Sequence, residues 1–266
     1  MLHIIGQRAD GYHLLQSVFQ ILDYGDHLDF EITQDGLIQC QHALANVDSN
    51  EDLSIRAAHL LKKYSGCTQG AYIKLHKKLP MGAGLGGGSS DAATVLVALN
   101  HLWQLALSQD ELAEIGLQLG ADVPVFVRGH SAWAEGVGDK LQSVKLPSAC
   151  YFVLTPSVQV STREIFVAED LTRNSAPIKI RDFLNGHARN DCQAAVLTRY
   201  PEVGRALQWL SAYAPARLTG TGSSVFATFD EPQQARQVLA ALPEGWRAFV
   251  AQGVNQSPLL RFLKRV

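Results

Sequence analysis

The chain has 266 residues, is 47% apolar and 18% charged, and carries a formal net charge of −2. That is enough apolar material for one large core or two modest ones. Lys and Arg are scattered singly or in adjacent pairs, which excludes a broad phosphate-backbone or anionic-membrane surface, so neither a nucleic acid nor a membrane is expected as a partner.

In chain order, "MLHIIGQRADGYH" reads as the tail of a β-strand entering a turn, too short and too soon charged for a secretory leader. Alternation at Leu28, Phe30 and Ile32 predicts a half-buried strand after the turn "DYGD", and "SIRAAHLLKKY", residues 54 to 64, has helical apolar spacing. "AYIKLHKKL", residues 71 to 79, alternates again, with Ile73, Leu75 and Leu79 facing one way and Lys74, His76 and Lys78 the other, as a strand with one wet face does.

Behind a glycine-rich stretch, Ala92, Val95, Leu96, Leu99, Leu102 and Trp103 recur at intervals of three and four, which predicts a helix packed on a sheet. Ser108 and Glu111 form a capping-box pattern opening another helix through Leu119, with Gly120 placed to end it. From Tyr151 the pattern resets: a strand "YFVLTP", a polar stretch to about residue 190, a helix near 202 to 213, "ARLTGTGSSVFATF", and a helix from Pro232 to Leu242. An α+β chain follows, with a boundary near residues 146 to 149 and hence two domains, 1–147 and 148–266.

Cys40, Cys67, Cys150 and Cys192 are far apart and show neither a CxxC pair nor metal-ligand spacing, so reduced thiols in a cytoplasmic protein are expected. No uninterrupted apolar run approaches the roughly 20 residues that cross a bilayer.

The stretch "PMGAGLGGGSSDAATVLVALNHLW", residues 80 to 103, places glycines 82, 84, 86, 87 and 88, then Ser89 and Ser90, directly before the helix. A helix N-terminus presents amides without intrahelical partners and the positive end of the helix dipole, and glycines let an oxygen-rich ligand come close, so a phosphate cradle is the functional reading. The plain alternative is a flexible loop with Ser89 or Ser90 as N-cap. A Walker A loop is excluded, because Gly88 is followed by two serines and no lysine. Gly82, Gly84 and Gly87 satisfy GxGxxG, yet the strand before them alternates with lysines, and about twenty residues on, Asp110 and Glu111 sit in a helix cap rather than at a strand end, which argues against a dinucleotide fold.

"PMGAGLGGGSSDAA" resembles the central ATP-binding motif of the GHMP kinases, and "LTGTGSSVF", residues 218 to 226, resembles that family's C-terminal glycine motif. "GQRADGYHLLQSVFQ", "GADVPVF" (120 to 126) and "AEGVGDKL" (134 to 141) resemble the GHMP members that act on 4-diphosphocytidyl-2-C-methyl-D-erythritol in isoprenoid biosynthesis. The resemblance runs from Leu2 to about Leu260 and implies an N-terminal, ATP-binding domain of the ribosomal-protein-S5 type and a ferredoxin-like C-terminal domain. It further implies ATP-dependent phosphorylation of the 2-hydroxyl of that small-molecule substrate, which carries cytidine diphosphate, with Mg²⁺ accompanying the ATP.

By the same resemblance, Pro80, Met81, Gly82, Ala83, Gly84, Leu85, Gly86, Gly87, Gly88, Ser89 and Ser90 hold the nucleotide, and Ser90 is also a candidate to touch the metal. Lys77 matches a position on the nucleotide side, and Asp52 and Leu53 occupy a segment near adenine that usually reads Asn-Leu, so Asp52 is a departure. Asp122 is the acid-base residue that takes the proton of the 2-hydroxyl. Tyr12 and His13 hold the cytidine, Phe166 stacks on its other face, and Gly220, Thr221 and Gly222 contact the substrate. Read without the resemblance, Asp122 is a turn or cap residue, Tyr12 and His13 a β-turn exit, Lys77 a solvated strand lysine and Phe166 core.

Members of the family begin with a strand carrying Pro-Ala-Lys-x-Asn-Leu before the residues equivalent to Leu2 to Gly6, whereas this sequence starts at Met1. The expectation that follows is a chain impaired as written, and the alternative reading is a nucleotide-binding relative without turnover. A GHMP kinase for a sugar or mevalonate-type alcohol is the other enzyme reading, and the "DGYH" turn argues against it because a pyrimidine site would then serve nothing.

Overall fold

The computed structural model describes residues 1–42, 52–186 and 189–263. In chain order they form β1 (Leu2–Gln7), β2 (His13–Phe19), β3 (Ile21–Leu22), β4 (His27–Thr33), β5 (Ile38–His42), α1 (Leu53–Ser65) and β6 (Gly70–His76). Next come α2 (Gly87–Leu102), α3 (Gln109–Leu117), α4 (Val123–Arg128), β7 (Ala132–Glu135), β8 (Lys140–Ser143) and β9 (Cys150–Thr155). The remainder is α5 (Thr162–Val167), α6 (Ile180–Leu184), α7 (Gln193–Arg199), α8 (Pro201–Ser211), β10 (Arg217–Leu218), β11 (Val225–Phe229), α9 (Pro232–Ala240), β12 (Arg247–Val254) and α10 (Pro258–Leu263).

These elements gather into two compact units, each discontinuous in sequence. The first comprises Met1–Tyr24, Met81–Leu85 and Ser131–Asn255, and residues 147 and 148 both fall inside it. Its strands form one sheet in the order β1-β2-β7-β8 and another in the order β10-β11-β9-β12-β3. The segment "CYFVLT" of β9 is apolar without alternation because β11 and β12 pair on both edges and its side chains are largely buried. Phe152, Leu154, Ile165, Val196, Leu210 and Val225 belong to its core. β1 enters as predicted from "MLHIIGQ", and its Ile4 amide donates to the buried Asp191 Oδ2 at 2.7 Å. The turn Arg8–Tyr12 then reverses the chain into β2, with Gly11 at φ 88°.

The second unit comprises Gly25–Pro80, Gly86–His130 and the described part of Gln256–Val266. Its sheet has the order β4-β6-β5, with β4 antiparallel and β5 parallel to β6. Ala57, Ala58, Ala92 and Ala93 are buried, and these short side chains let α1 and α2 lie close above the sheet face that carries Ile73 and Leu75. Asp52 caps α1, its Oδ1 accepting from the amides of Ser54 and Ile55 at 2.6 and 3.1 Å. An Asn would cap as well, so the departure at position 52 leaves the helix start intact. The Ser108–Glu111 capping box is present and opens α3.

Several elements differ from the sequence expectation. The strand predicted to reach Leu79 ends at His76, because the amides of Lys78 and Leu79 turn away from the ladder to donate to Asp26 Oδ1 at 2.6 and 2.8 Å. The polar stretch before residue 190 holds the short helices α5 and α6. β12 has no clean alternation, yet it lies between β9 and β3, and only pairing with both identifies it.

Leu96 is fully buried in the core of the second unit. Leu96→Ala is expected to lower the unfolding free energy by about 2–5 kcal/mol through lost transfer energy and a residual cavity. A shift of the urea midpoint to lower denaturant at unchanged slope is the check.

Candidate active site

Helix α2 starts one residue after Gly86, which sits at φ 67° and offers no side-chain cap. The first amide of this turn with a backbone acceptor is that of Ser90, bonded to the Gly86 carbonyl at 2.8 Å. The amides of Gly87, Gly88 and Ser89 therefore have no acceptor among the described residues, and no acid occupies the first turn. Three free donors at the positive end of a helix dipole suit an anion. A Cβ on Gly86 would lie 2.7 Å from Phe126 Cζ, so the ring edge and the left-handed backbone both demand glycine here. Gly87 to Ser90 thus lie within the helix rather than before it, and neither Ser89 nor Ser90 is its N-cap.

Ser89 instead donates its hydroxyl to Asp122 Oδ1 at 2.6 Å. Asp122 stands at the N-cap position of α4 but makes no capping bond, so it is not the cap residue that its surroundings in sequence suggest. Burial pushes its carboxyl above the usual range, while the Ser89 hydrogen bond and a backbone amide pull the other way. Cβ positions built on Gly86 and Gly120 would lie 3.5 Å from Oδ2 and 3.4 Å from Oδ1, so glycines on both sides leave the carboxylate open. A carboxylate of raised basicity beside a row of anion-seeking amides can take a proton from, or orient, a hydroxyl approaching that anion. Ser90 Oγ makes no hydrogen bond among the described residues, and the Leu53 side chain lies 3.5 Å from a Cβ built on Gly88.

Lys77 is not a solvated strand lysine. Its Nζ pairs with Asp26 Oδ2 and, at 2.8 Å, with Asp91 Oδ2, and the three side chains are only 13, 2 and 5% exposed. Burial disfavours the ammonium, but the two carboxylates outweigh it and hold Lys77 charged. Asp91 is pushed up to about 7 by burial, against the pull of Lys77. The cluster ties the residues after β6 to the second turn of α2, because Asp91 follows Ser89 and Ser90 directly.

The first unit holds the remaining candidates. Gly84, at φ 68°, lies against the backbone of 219–222: a Cβ there would meet Gly222 O at 2.8 Å, and Thr219 Oγ1 donates to Gly84 O at 3.0 Å. Ser224 N donates to Ala83 O at 3.1 Å, which brings the two glycine motifs into direct backbone contact. Asn190 Nδ2 holds the carbonyls of Leu218 and Gly220 at 3.1 and 2.7 Å, and Thr221 Oγ1 lies 2.8 Å from Thr162 Oγ1. Met81 and Gly82 are exposed, and Pro80 and Leu85 partly so. His13 is buried under the Phe166 ring, with centroids 5.1 Å apart, while Tyr12 is 66% exposed.

Arg173 joins that group without having been singled out by the sequence. Its Nε donates to His13 Nε2 at 3.1 Å, and its other nitrogens donate to the carbonyls of Phe166, Ala168 and Leu171. Asp26 and Asp91, the partners of Lys77, and Asn190 were missed in the same way. Asp91 alone carried a signal, since "SSDAA" continues the glycine motif; Asp26 lies 51 residues from Lys77.

Residues 52–130 match the model of the GHMP kinases N terminal domain and residues 168–248 that of the GHMP kinases C terminal domain, so the chain belongs to the GHMP kinases. It is 54% identical over 264 residues to the 4-diphosphocytidyl-2-C-methyl-D-erythritol kinase of Nitrosococcus oceani, covering 99% of this chain and 94% of that one. The enzyme of that name from Pseudomonas syringae pv. tomato is 55% identical with the same coverage. Within the GHMP kinases the chain is therefore a member of the 4-diphosphocytidyl-2-C-methyl-D-erythritol kinase family. A crystal structure of 4-(cytidine 5'-diphospho)-2C-methyl-D-erythritol kinase superposes with a TM-score of 0.84 at 30% identity, covering 95% of each chain. The mevalonate kinase of Methanococcus jannaschii, at 15% identity and a TM-score of 0.66 over 93% of this chain and 100% of that one, shares the fold.

Asp91 binds its proton more tightly folded than unfolded, so its contribution to stability is complete below its ordinary value and is lost as pH rises through about 7. Asp91→Asn is expected to reduce the loss of unfolding free energy between about pH 5 and about pH 8 relative to the wild type, measured by urea titration at both values.

Proposed function

We propose that the chain transfers the γ-phosphoryl group of ATP to the 2-hydroxyl of 4-diphosphocytidyl-2-C-methyl-D-erythritol, the compound in its relatives' name. The observation that carries this reading is the contact between Ser89, in the first turn of α2, and Asp122: an anion-binding helix start and a basic carboxylate share one hydrogen bond. Gly87 to Ser89 receive phosphate oxygens, Asp122 orients the hydroxyl and takes its proton, and the loop 80–86 lets the nucleotide approach without side chains in the way. Lys77 acts by holding Asp91 and the helix start rather than by meeting phosphate, Leu53 flanks the nucleotide, and Asp52 keeps α1 in place beside it. Tyr12, His13 and Phe166 take the cytosine, and Gly220 to Gly222 line the substrate's path.

No group of three His, Cys, Asp or Glu side chains among the described residues is arranged to hold a metal ion. A nucleotide-borne Mg²⁺ fits such a site, held chiefly by phosphate oxygens, with the free Ser90 hydroxyl as the protein's ligand. It would neutralise charge building on the transferred group. The division into an ATP-binding half, 1–147, and a C-terminal half, 148–266, belongs to the same proposal, as does a cytoplasmic location, which the free cysteines support. None of the described helices is long and apolar enough to cross a membrane. A binding protein without turnover is not favoured, since the relatives that match nearly the whole chain carry a kinase name and Asp122 keeps its place beside α2.

The test is ADP release from ATP in the presence of 4-diphosphocytidyl-2-C-methyl-D-erythritol and magnesium. The wild type is expected to release ADP only with that substrate, and Asp122→Asn to lower kcat by about 10²- to 10⁴-fold with KM for ATP changed less than about threefold. Release independent of the substrate, or an Asp122→Asn variant with wild-type kcat, contradicts the reading.

A further inference from the structure

Arg173 is half-buried, forms no ion pair among the described residues, and spends its donors on three carbonyls and one imidazole nitrogen. The bond to His13 has a defined direction. A guanidinium has only donors, so His13 Nε2 must be the accepting, unprotonated nitrogen. Burial and the adjacent guanidinium both lower the pKa of His13, so the ring is neutral and its one proton sits on Nδ1. Nδ1 makes no hydrogen bond among the described residues, although the ring is buried against Phe166. The ring thus presents a donor of fixed sign with its partner left open.

We propose that Arg173 is a positioning residue that holds His13 as the Nδ1–H tautomer and thereby makes this site select cytosine over uracil. The inference rests on the reading that His13 meets the pyrimidine. Cytosine and uracil have nearly the same shape and differ along one edge: N3 of cytosine accepts a hydrogen bond, whereas N3 of uracil carries a proton and donates. A neutral histidine free to change tautomer could serve either base by moving its proton. Pinned at Nε2, it offers only N–H, which pairs with cytosine and opposes the N3–H of uracil, leaving two donors facing each other in a partly dry site. The three carbonyls hold the guanidinium by hydrogen bonds, while the nearby Asp170 carboxylate, which feels the Arg173 charge, is itself paired with Arg199. They also fix the segment from Phe166 to Leu171, which sets the aromatic ring over the imidazole.

The experiment compares Arg173→Met and Arg173→Lys with the wild type, using 4-diphosphocytidyl-2-C-methyl-D-erythritol and its uridine counterpart as substrates, alongside nitrogen-15 spectra of His13 in the free proteins. The wild type is expected to show the Nδ1–H tautomer and Arg173→Met to move toward Nε2–H. In the same variant KM for the cytidine substrate rises about tenfold, the preference for cytidine over uridine falls by about tenfold or more, and kcat and KM for ATP stay within about threefold. Arg173→Lys, which retains a donor toward Nε2, restores most of the preference, and this separates positioning from general damage to the fold. An unchanged preference in a folded Arg173→Met protein, equal loss toward both substrates, or a wild-type His13 protonated at Nε2 each overturns the inference while leaving the kinase reading standing. A wild type that phosphorylates neither compound overturns both.

Discussion

Three amides at the start of α2 have no acceptor in the described chain, and much of the second unit is arranged around keeping them open. An ordinary helix would satisfy them with a Ser, Thr or Asp cap. Here the cap position is Gly86, whose left-handed backbone turns the chain into the helix without supplying an oxygen, and the Phe126 ring edge occupies the space a side chain would need. Ser89, inside the first turn, donates its hydroxyl to Asp122 and so sets the carboxylate beside the amides rather than bonded to them. The open helix start and the carboxylate beside it are in this way consequences of one decision about where a helix begins.

That decision needs support, because an open helix end is unstable by itself. Lys77 supplies it by pairing with Asp91 in the second turn and with Asp26 below β6, whose other oxygen takes the amides of Lys78 and Leu79. Buried ion pairs contribute little net stability, since desolvation offsets the Coulomb gain, but an unpartnered member costs several kcal/mol. Their effect is geometric: the chain can leave the sheet at one place only, and the helix start is held where it does. Burial raises Asp91, and the Asp26 carboxylate adds to the effect against the pull of Lys77.

In the first unit, glycine serves a different end. Gly84 and Gly220 allow backbone to touch backbone, so that two segments 135 residues apart share hydrogen bonds instead of side-chain packing. The His13–Phe166–Arg173 group is built on the same economy, with one guanidinium satisfying carbonyls and defining an imidazole at once.

Alternation and helical spacing determined β4, β6, α2 and α3, and the Ser108–Glu111 box determined where α3 opens, because these signals act over a few residues and do not depend on what lies across the core. The glycine motif likewise led to the expectation of a phosphate cradle from chemistry alone. The end of β6, the placement of β12, the diversion of Ser89 from cap to partner of Asp122, and the pairing of Lys77 with Asp26 and Asp91 were decided only by tertiary structure. Each depends on a group brought from at least 14 residues away, or on whether a neighbour has already claimed a donor. Arg173 shows the limit most plainly: in sequence it is one arginine in a polar stretch, and its meaning comes from an imidazole 160 residues before it. A sequence records which hydrogen-bonding groups exist, and the fold alone determines which of them meet.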